Sequence, residues 1–187
     1  PIDEEHPLQG QSPYSASKIG ADKMAESFYC SFELPVVTLR PFNTFGPRQS
    51  ARAIIPTVIS QLAAGVEELK LGSLDPVRDM NYAQDTAAAF MAAAECDEAV
   101  GQVVNTGRGS GVTIGELVRT IMKLMGREVP IVCDQQRVRP AGSEVMELVA
   151  SAEKLHRLTG WEPAHTLEDG LRKTIVFVTA RLDLYKP

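Results

Sequence analysis

Hydrophobic positions in the first part of the chain recur at helical spacing. Ile19, Met24, Phe28 and Phe32 follow a Ser-Pro pair at Ser12 and Pro13. A serine before a proline marks a helix start, because the serine hydroxyl can cap free N–H groups and proline needs no partner in the first turn. The pattern therefore predicts a helix from Pro13 to about Phe32. "LPVVTLRPF" then reads as a short buried strand closed by Pro41, and "NTFGPRQS" as a loop. "ARAIIPTVISQLAAG" is expected to be a helix with Pro56 in its first turn and Gly65 at its end. "ELKLGSLDPVRDMNYAQD" predicts two short extended pieces around a turn at Asp75-Pro76. "TAAAFMAAAE" predicts a helix of small residues, with Asp85 as its cap.

The next unit, "QVVNTGRGSGVTIGELVRTIMKLMG", reads as strand, glycine loop and helix. Thr113 and Glu116 form a T-x-x-E capping box at the helix start. "VPIVC" and "VMELVA" are expected as short strands. "SAEKLHRLTGWEP" is expected as a helix stopped at Gly160, and "TLEDGLRKTIVFVTARL" as a last amphipathic helix. Strands alternating with helices predict an α/β fold with parallel pairing. No internal repeat or low-complexity tract interrupts the pattern.

Composition narrows the classes. The 187 residues suffice for one domain or two small lobes. A net charge of −5 argues against a general nucleic-acid binder, while leaving room for a local basic pocket that takes phosphate. No apolar run has the length of a membrane span, and no signal peptide is visible. Cys30, Cys96 and Cys133 are odd in number and scattered, which predicts free thiols in a reducing, cytoplasmic setting and no metal site. The chain opens on Pro1 with a strand-helix unit in mid-stride, so it is expected to be a fragment of a longer protein.

Four constellations carry candidate chemistry. Gly107, Gly109, Gly111 and Gly115 lie where a dinucleotide-binding loop would lie, but their spacing does not fit G-x-G-x-x-G. They are read as a turn feeding a capped helix. Tyr14 and Lys18 are four apart and so share a helix face. A phenol beside an ammonium can serve as an acid or base, or the pair can be an exposed aromatic-cation contact. "LRPFNTFGPR" ends a strand at Asn43, and ligands of parallel sheets sit beyond strand ends. Arg78 either pairs with Asp79 or faces a diphosphate, for which its guanidinium fork is suited; Arg139 poses the same question.

The ordered series "SPYSASKIGADKM", "LRPFNTFGPRQ", "KLGSLDPVRDMNYAQD", "VVNTGRGSGVTIGEL", "RPAGSEV" and "LTGWEPAHTLEDGLRKTI" resembles the C-terminal half of the extended short-chain dehydrogenase/reductases. More narrowly it is similar to their NAD-dependent nucleotide-sugar epimerase/dehydratase members. The likeness spans nearly the whole chain, from about Asp3 to about Val178. "RPFNTFGPRQSAR" and "SEV" look most like the bacterial branch of 4,6-dehydratases acting on UDP-N-acetyl-sugars.

The resemblance implies a fold and a set of roles. The fold is the last part of a Rossmann-type parallel sheet with a small mixed α/β substrate-binding lobe, over residues 1–187. Tyr14 matches the catalytic acid/base. Lys18 matches the lysine that supports it and holds the nicotinamide ribose. Pro41 and Phe42 match backbone positions beside the nicotinamide, and Asn43 a contact to the sugar diphosphate. Ala53 and Ile54 fall at the start of the nucleotide-binding helix, Leu71 along the base, and Arg78 and Arg139 on two diphosphate-binding arginines. The implied activity is that of a 4,6-dehydratase (a lyase) or an epimerase (an isomerase), working with NAD on a UDP-sugar through a 4-keto intermediate. A homo-oligomer is implied, with no nucleic-acid or membrane partner. A decarboxylase of the same fold and a non-catalytic nucleotide-sugar-binding or scaffold module are the alternatives.

Some positions depart from the family pattern. Ala53 stands where epimerases commonly have asparagine, and Gly142 where they often have an acid for the ribose. "YAQD" replaces Y-V-x-D. The Gly-rich loop and the Ser/Thr motif expected upstream of the tyrosine are not among these residues, so the chain alone is expected to bind NAD weakly.

Overall fold

Ser12 accepts a hydrogen bond from the Ser15 N–H at 3.1 Å, and the Ser15 hydroxyl accepts one from the Ser12 N–H at 2.9 Å. This reciprocal cap starts the first helix where the sequence places it, in a computed structural model that describes residues 1–137 and 144–185. Helix α1 covers Pro13–Phe32 and ends on Glu33 in the left-handed region, at φ 53°. None of its residues is buried.

Strand β1 (Thr38–Pro41) leads to β2 (Thr44–Phe45) and helix α2 (Ile54–Ala63), with Pro56 in its first turn. The Asp75-Pro76 region contains three short strands where two extended pieces were expected: β3 (Leu69–Leu71), β4 (Val77–Arg78) and β5 (Asn81–Tyr82). Helix α3 (Ala83–Ala94), β6 (Val103–Thr106), β7 (Val112–Thr113) and α4 (Ile114–Met125) follow. The remaining elements are β8 (Ile131–Cys133), β9 (Glu147–Leu148), α5 (Glu153–Thr159) and α6 (Leu167–Thr179).

Parallel pairing dominates, as the alternating elements predict. β1 pairs with β6 from Thr38–Val103 to Pro41–Thr106, β2 with β5, and β3 with β8, all parallel. β4 lies between antiparallel β7 and parallel β9. The buried side chains form two clusters. One gathers Ala89, Ala93, Val104, Leu155 and Trp161 beside the β1–β6 pair. The larger one joins α2, α4 and α6 through residues such as Val58, Ile59, Leu62, Leu117, Ile121 and Leu171. Arg127, just after α4, ties that helix to the end of α2: its guanidinium donates to the Leu62 and Val66 carbonyls at 2.6 and 3.1 Å.

Two acidic capping boxes start α4 and α6. Glu116 accepts from the Thr113 N–H at 3.0 Å and from its hydroxyl at 2.8 Å; Asp169 does the same with Thr166 at 3.1 and 2.6 Å. Both carboxyls are held below their usual range, Glu116 chiefly by the Thr113 N–H and Asp169 chiefly by the Thr166 hydroxyl. A lowered folded-state value means stability that is fully present above the unfolded value, about 4, and lost as pH falls through the lower folded value. Thermal melts followed by circular dichroism should therefore show a shallower loss of Tm below about pH 4 in a Glu116→Gln/Asp169→Asn double variant than in the wild type. Parallel acid limbs would show that the boxes do not couple to pH.

Candidate active site

β4 is only two residues long, but its direction decides the site. Successive side chains along extended backbone point to opposite sides. Arg78 and Asp79 therefore face away from each other, and they do not form the ion pair that the sequence left open. Arg78 turns to Glu144: its Nη2 lies 2.9 Å from Glu144 Oε1, and its Nη1 donates to the Val77 carbonyl at 2.9 Å. Both side chains of the pair are largely shielded, at 11% and 17% exposure.

Asp79 turns inward and is fully buried. Its carboxylate accepts three backbone N–H groups: Arg108 and Gly109 at 2.9 Å each, and Ala150 at 3.2 Å. The glycine cluster is thus the partner of a carboxylate. N–H groups of the loop that a phosphate cradle would need are already taken. Its glycines serve close packing instead. A Cβ on Gly107 would meet Ala150 Cβ at 2.6 Å, and one on Gly111 would meet Val77 Cγ1 at 2.4 Å.

Asp85 corrects a second expectation. It sits in the first turn of α3, whose N-cap is Tyr82, and does not cap the helix. The buried carboxylate instead accepts the N–H groups of Ala164 and His165, each at 3.2 Å, and lies 2.8 Å from His165 Nδ1. His165 Nε2 in turn is 2.8 Å from Lys173 Nζ. Arg108 ties the two acidic centres together, because its guanidinium donates to the His165 carbonyl. Burial, followed by the nearby charge of Asp85, pushes the Tyr82 hydroxyl up from its usual value.

The Arg78–Glu144 pair lies in the wall of a cleft of about 600 Å³. Tyr14, Asn43, Ile54, Leu71 and Arg78 all line it, so five of the residues singled out in the sequence meet in one place. Lys18 lies one turn along α1 with its Nζ 5.8 Å from the Tyr14 ring centroid, and Tyr14 is 72% exposed. Pro41 and Phe42 stand at the carboxyl end of β1, and Ala53 holds the N-cap position of α2 without a side-chain bond. None of Lys18, Pro41, Phe42 and Ala53 lines the cleft itself. Arg139 and Gly142 lie outside the described residues. Asn43 Oδ1 is a buried acceptor without a partner.

Sequence reading missed Glu144, Arg52 and Arg137, which also line the cleft. The only sequence signal for Glu144 was its place in "SEV"; its contact with Arg78 spans 66 residues. A larger chamber of about 890 Å³ adjoins the cleft and shares Arg52, Thr57 and Arg137 with it. The smaller cleft is the candidate site, because it holds the phenol, the amide and Arg78 together. Among the described residues no His/Cys/Asp/Glu cluster is suited to a metal, and no helix is long and apolar enough to cross a membrane.

A profile of the GDP-mannose 4,6-dehydratase family matches residues 1–174. The chain belongs to that family. Its relatives include the low-salt glycan biosynthesis protein Agl12 of Haloferax volcanii, 32% identical over 92% of this chain and 54% of that protein. Among solved structures, RMD from Pseudomonas aeruginosa complexed with NADPH superposes with a TM-score of 0.88 at 28% identity, over 97% of this chain and 61% of that one. dTDP-glucose 4,6-dehydratase of Bacillus anthracis in complex with NAD gives 0.87 at 30%, over 100% and 58%. The chain thus spans little more than half the length of these family members. The parallel strands flanked by helices agree with the Rossmann-type architecture of these neighbours.

Asp79 is the group whose loss should loosen the site as a whole. Replacing it with asparagine removes the charge and turns one acceptor atom into a donor facing N–H groups. Urea denaturation of Asp79→Asn should show a loss of about 2–4 kcal/mol. Asp75→Asn, on an exposed turn, should stay within about 0.5 kcal/mol of wild type. Equal midpoints for the two variants would remove Asp79 from this role.

Proposed function

We propose that this chain is the substrate-binding part of an NAD-dependent nucleotide-sugar 4,6-dehydratase or epimerase. The observation that carries the reading is the meeting of Tyr14, Asn43, Ile54, Leu71 and Arg78 around one cleft at the carboxyl end of β1. Family membership agrees with it. A UDP-sugar is the first substrate to test, on the likeness of "RPFNTFGPRQSAR" and "SEV" to enzymes of UDP-N-acetyl-sugars.

Each residue has a task in this reading. Arg78, already held by Glu144 and the Val77 carbonyl, offers its remaining N–H groups to a diphosphate. Ile54 and Leu71 give the nucleotide an apolar wall. Asn43 Oδ1 lacks a donor, and a sugar hydroxyl supplies one. Arg139, outside the described residues, is assigned to the same diphosphate.

The residues around α1 fit a nicotinamide nucleotide. Among the described residues no carboxylate pairs with Lys18, which leaves its ammonium free for a ribose hydroxyl. Pro41 and Phe42 would flank the ring. When bound, NAD supplies the acceptor for hydride from C4 of the sugar. Tyr14 takes the C4 hydroxyl proton as that hydride leaves, producing a 4-keto sugar. Lys18 shares the helix face with the phenol, its Nζ 5.8 Å from the ring centroid. The ketone would then lose water across C5–C6 and regain the hydride at C6 with a proton at C5, or regain the hydride at C4 on its other face, so that the cofactor would end as it began.

Two further assignments belong to the same reading. Three unpaired cysteines support the reading of a cytoplasmic location. Self-association follows from apolar side chains left outside on α1, with Met24 at 61% and Phe32 at 73% exposure. Light scattering at tens of micromolar, roughly the range where weak contacts still register, should give at least a dimer mass; a monomer mass would refute self-association.

The central test uses the whole enzyme. Tyr14→Phe keeps the ring and removes the proton, so kcat should fall by about 10²–10⁴-fold with little change in nucleotide-sugar affinity. Arg78→Ala should chiefly weaken that affinity. Near-normal turnover in Tyr14→Phe would favour the exposed aromatic-cation pair and sink the catalytic assignment.

A further inference from the structure

We propose that Arg52 is a further phosphate-binding residue of the cleft, closing on the nucleotide diphosphate from the α2 side. The inference rests on the nucleotide-sugar reading above and gives a role to Arg52, the last residue of "RPFNTFGPRQSAR", to which the resemblance assigned none. It starts from the charges that line the cleft: Arg52, Arg78, Arg137 and Glu144. Two of the three cations are already neutralised. Arg78 is 2.9 Å from Glu144, and Arg137 donates to Asp134 at 3.1 Å. Among the described residues no carboxylate pairs with Arg52, and its side chain is exposed.

A nucleoside diphosphate brings at least two negative charges. Arg78 with Glu144 offers it hydrogen bonds from a site of no net charge. Arg52 is the lining cation, among the described residues, whose charge is not offset by a bound carboxylate. It stands in the loop before α2, beside Ile54, and borders both the cleft and the larger chamber next to it. From there a long side chain can swing over a ligand that lies between Ile54 and Arg78. Guanidinium on phosphate is a charge-assisted contact with two-point geometry, which also distinguishes arginine from lysine at this place.

The experiment is calorimetric titration of the protein with UDP and GDP over a range of salt concentrations. Wild type, Arg52→Ala, Arg52→Lys and Arg78→Ala are compared, with thermal melts of each. Arg52→Ala should bind about tenfold more weakly at low salt. Its affinity should also fall less steeply with added salt, because an exposed charge is screened. Arg52→Lys should recover part of the affinity and most of the salt dependence. A fold defect would lower affinity and Tm without flattening the salt response. If Arg52→Ala matches wild type while Arg78→Ala loses binding, the Arg52 assignment is overturned and the nucleotide-sugar reading stands. If wild type binds neither nucleotide, both fall together.

Discussion

The carboxylate of Asp79 is the joint on which the rest depends. It is buried beneath the end of β4 and collects N–H groups from the loop after β6 and from Ala150 just after β9. A buried charge without partners would be very costly, so the three donors are a condition for its being there at all. The reverse also holds, since these loop N–H groups would be orphaned without the acid. The mutual need fixes the loop of residues 107–111 against β4. With β4 fixed, strand alternation sends Arg78 to the opposite side, into the cleft. Asp85 repeats the device one element later, holding the segment before α6 through its N–H groups and the His165 ring. Arg108 bridges the two centres, its N–H on Asp79 and its guanidinium on the His165 carbonyl, so the two buried acids belong to one connected polar network.

Local features were legible in the sequence and distant ones were not. Ser12-Pro13, Thr113 with Glu116 and Gly160 each act within one turn, and each element boundary they predict is present in the fold. The strand ending at Pro41 was readable because β-branched residues and a proline speak for themselves. Asp79 and Asp85 were misread or passed over because their partners lie 29 to 80 residues away. Local rules then supply the wrong partner: a neighbouring arginine for one, a helix terminus for the other. The glycine cluster shows the same limit. Its spacing ruled out a dinucleotide loop, but nothing nearby could announce that a carboxylate would fill the place of a phosphate.

The candidate site was legible to the extent that it rests on ordered motifs. Tyr14, Asn43, Ile54, Leu71 and Arg78 are spread over 65 positions and converge on one cleft. Convergence of that kind follows from the parallel topology, which brings strand ends and the loops after them to one edge. Glu144 and Arg52 stand in "SEV" and "RPFNTFGPRQSAR", but no local rule gives either of them a partner or a role. They are neighbours in space only.

The residues proposed for binding and for acid/base chemistry have different supports in this molecule. Arg78 is buried, hydrogen-bonded to Glu144 and to the Val77 carbonyl, and adjacent in the chain to the anchored Asp79. Tyr14 and Lys18 stand on a helix with no buried residue, attached to the rest mainly where it meets β1, including the Arg40–Asp22 pair at 2.7 Å. A rigid arginine suits a ligand group that does not change during the reaction, such as a diphosphate. An acid/base group must instead meet a reacting atom whose position depends on cofactor and sugar together, and contacts from both would restrict it. On the proposed assignment, changes on the α1 face should therefore reach the chemical step with little effect on stability. Changes beneath β4 should reach affinity and stability together, because there the same buried carboxylate that positions Arg78 also holds the loops closed.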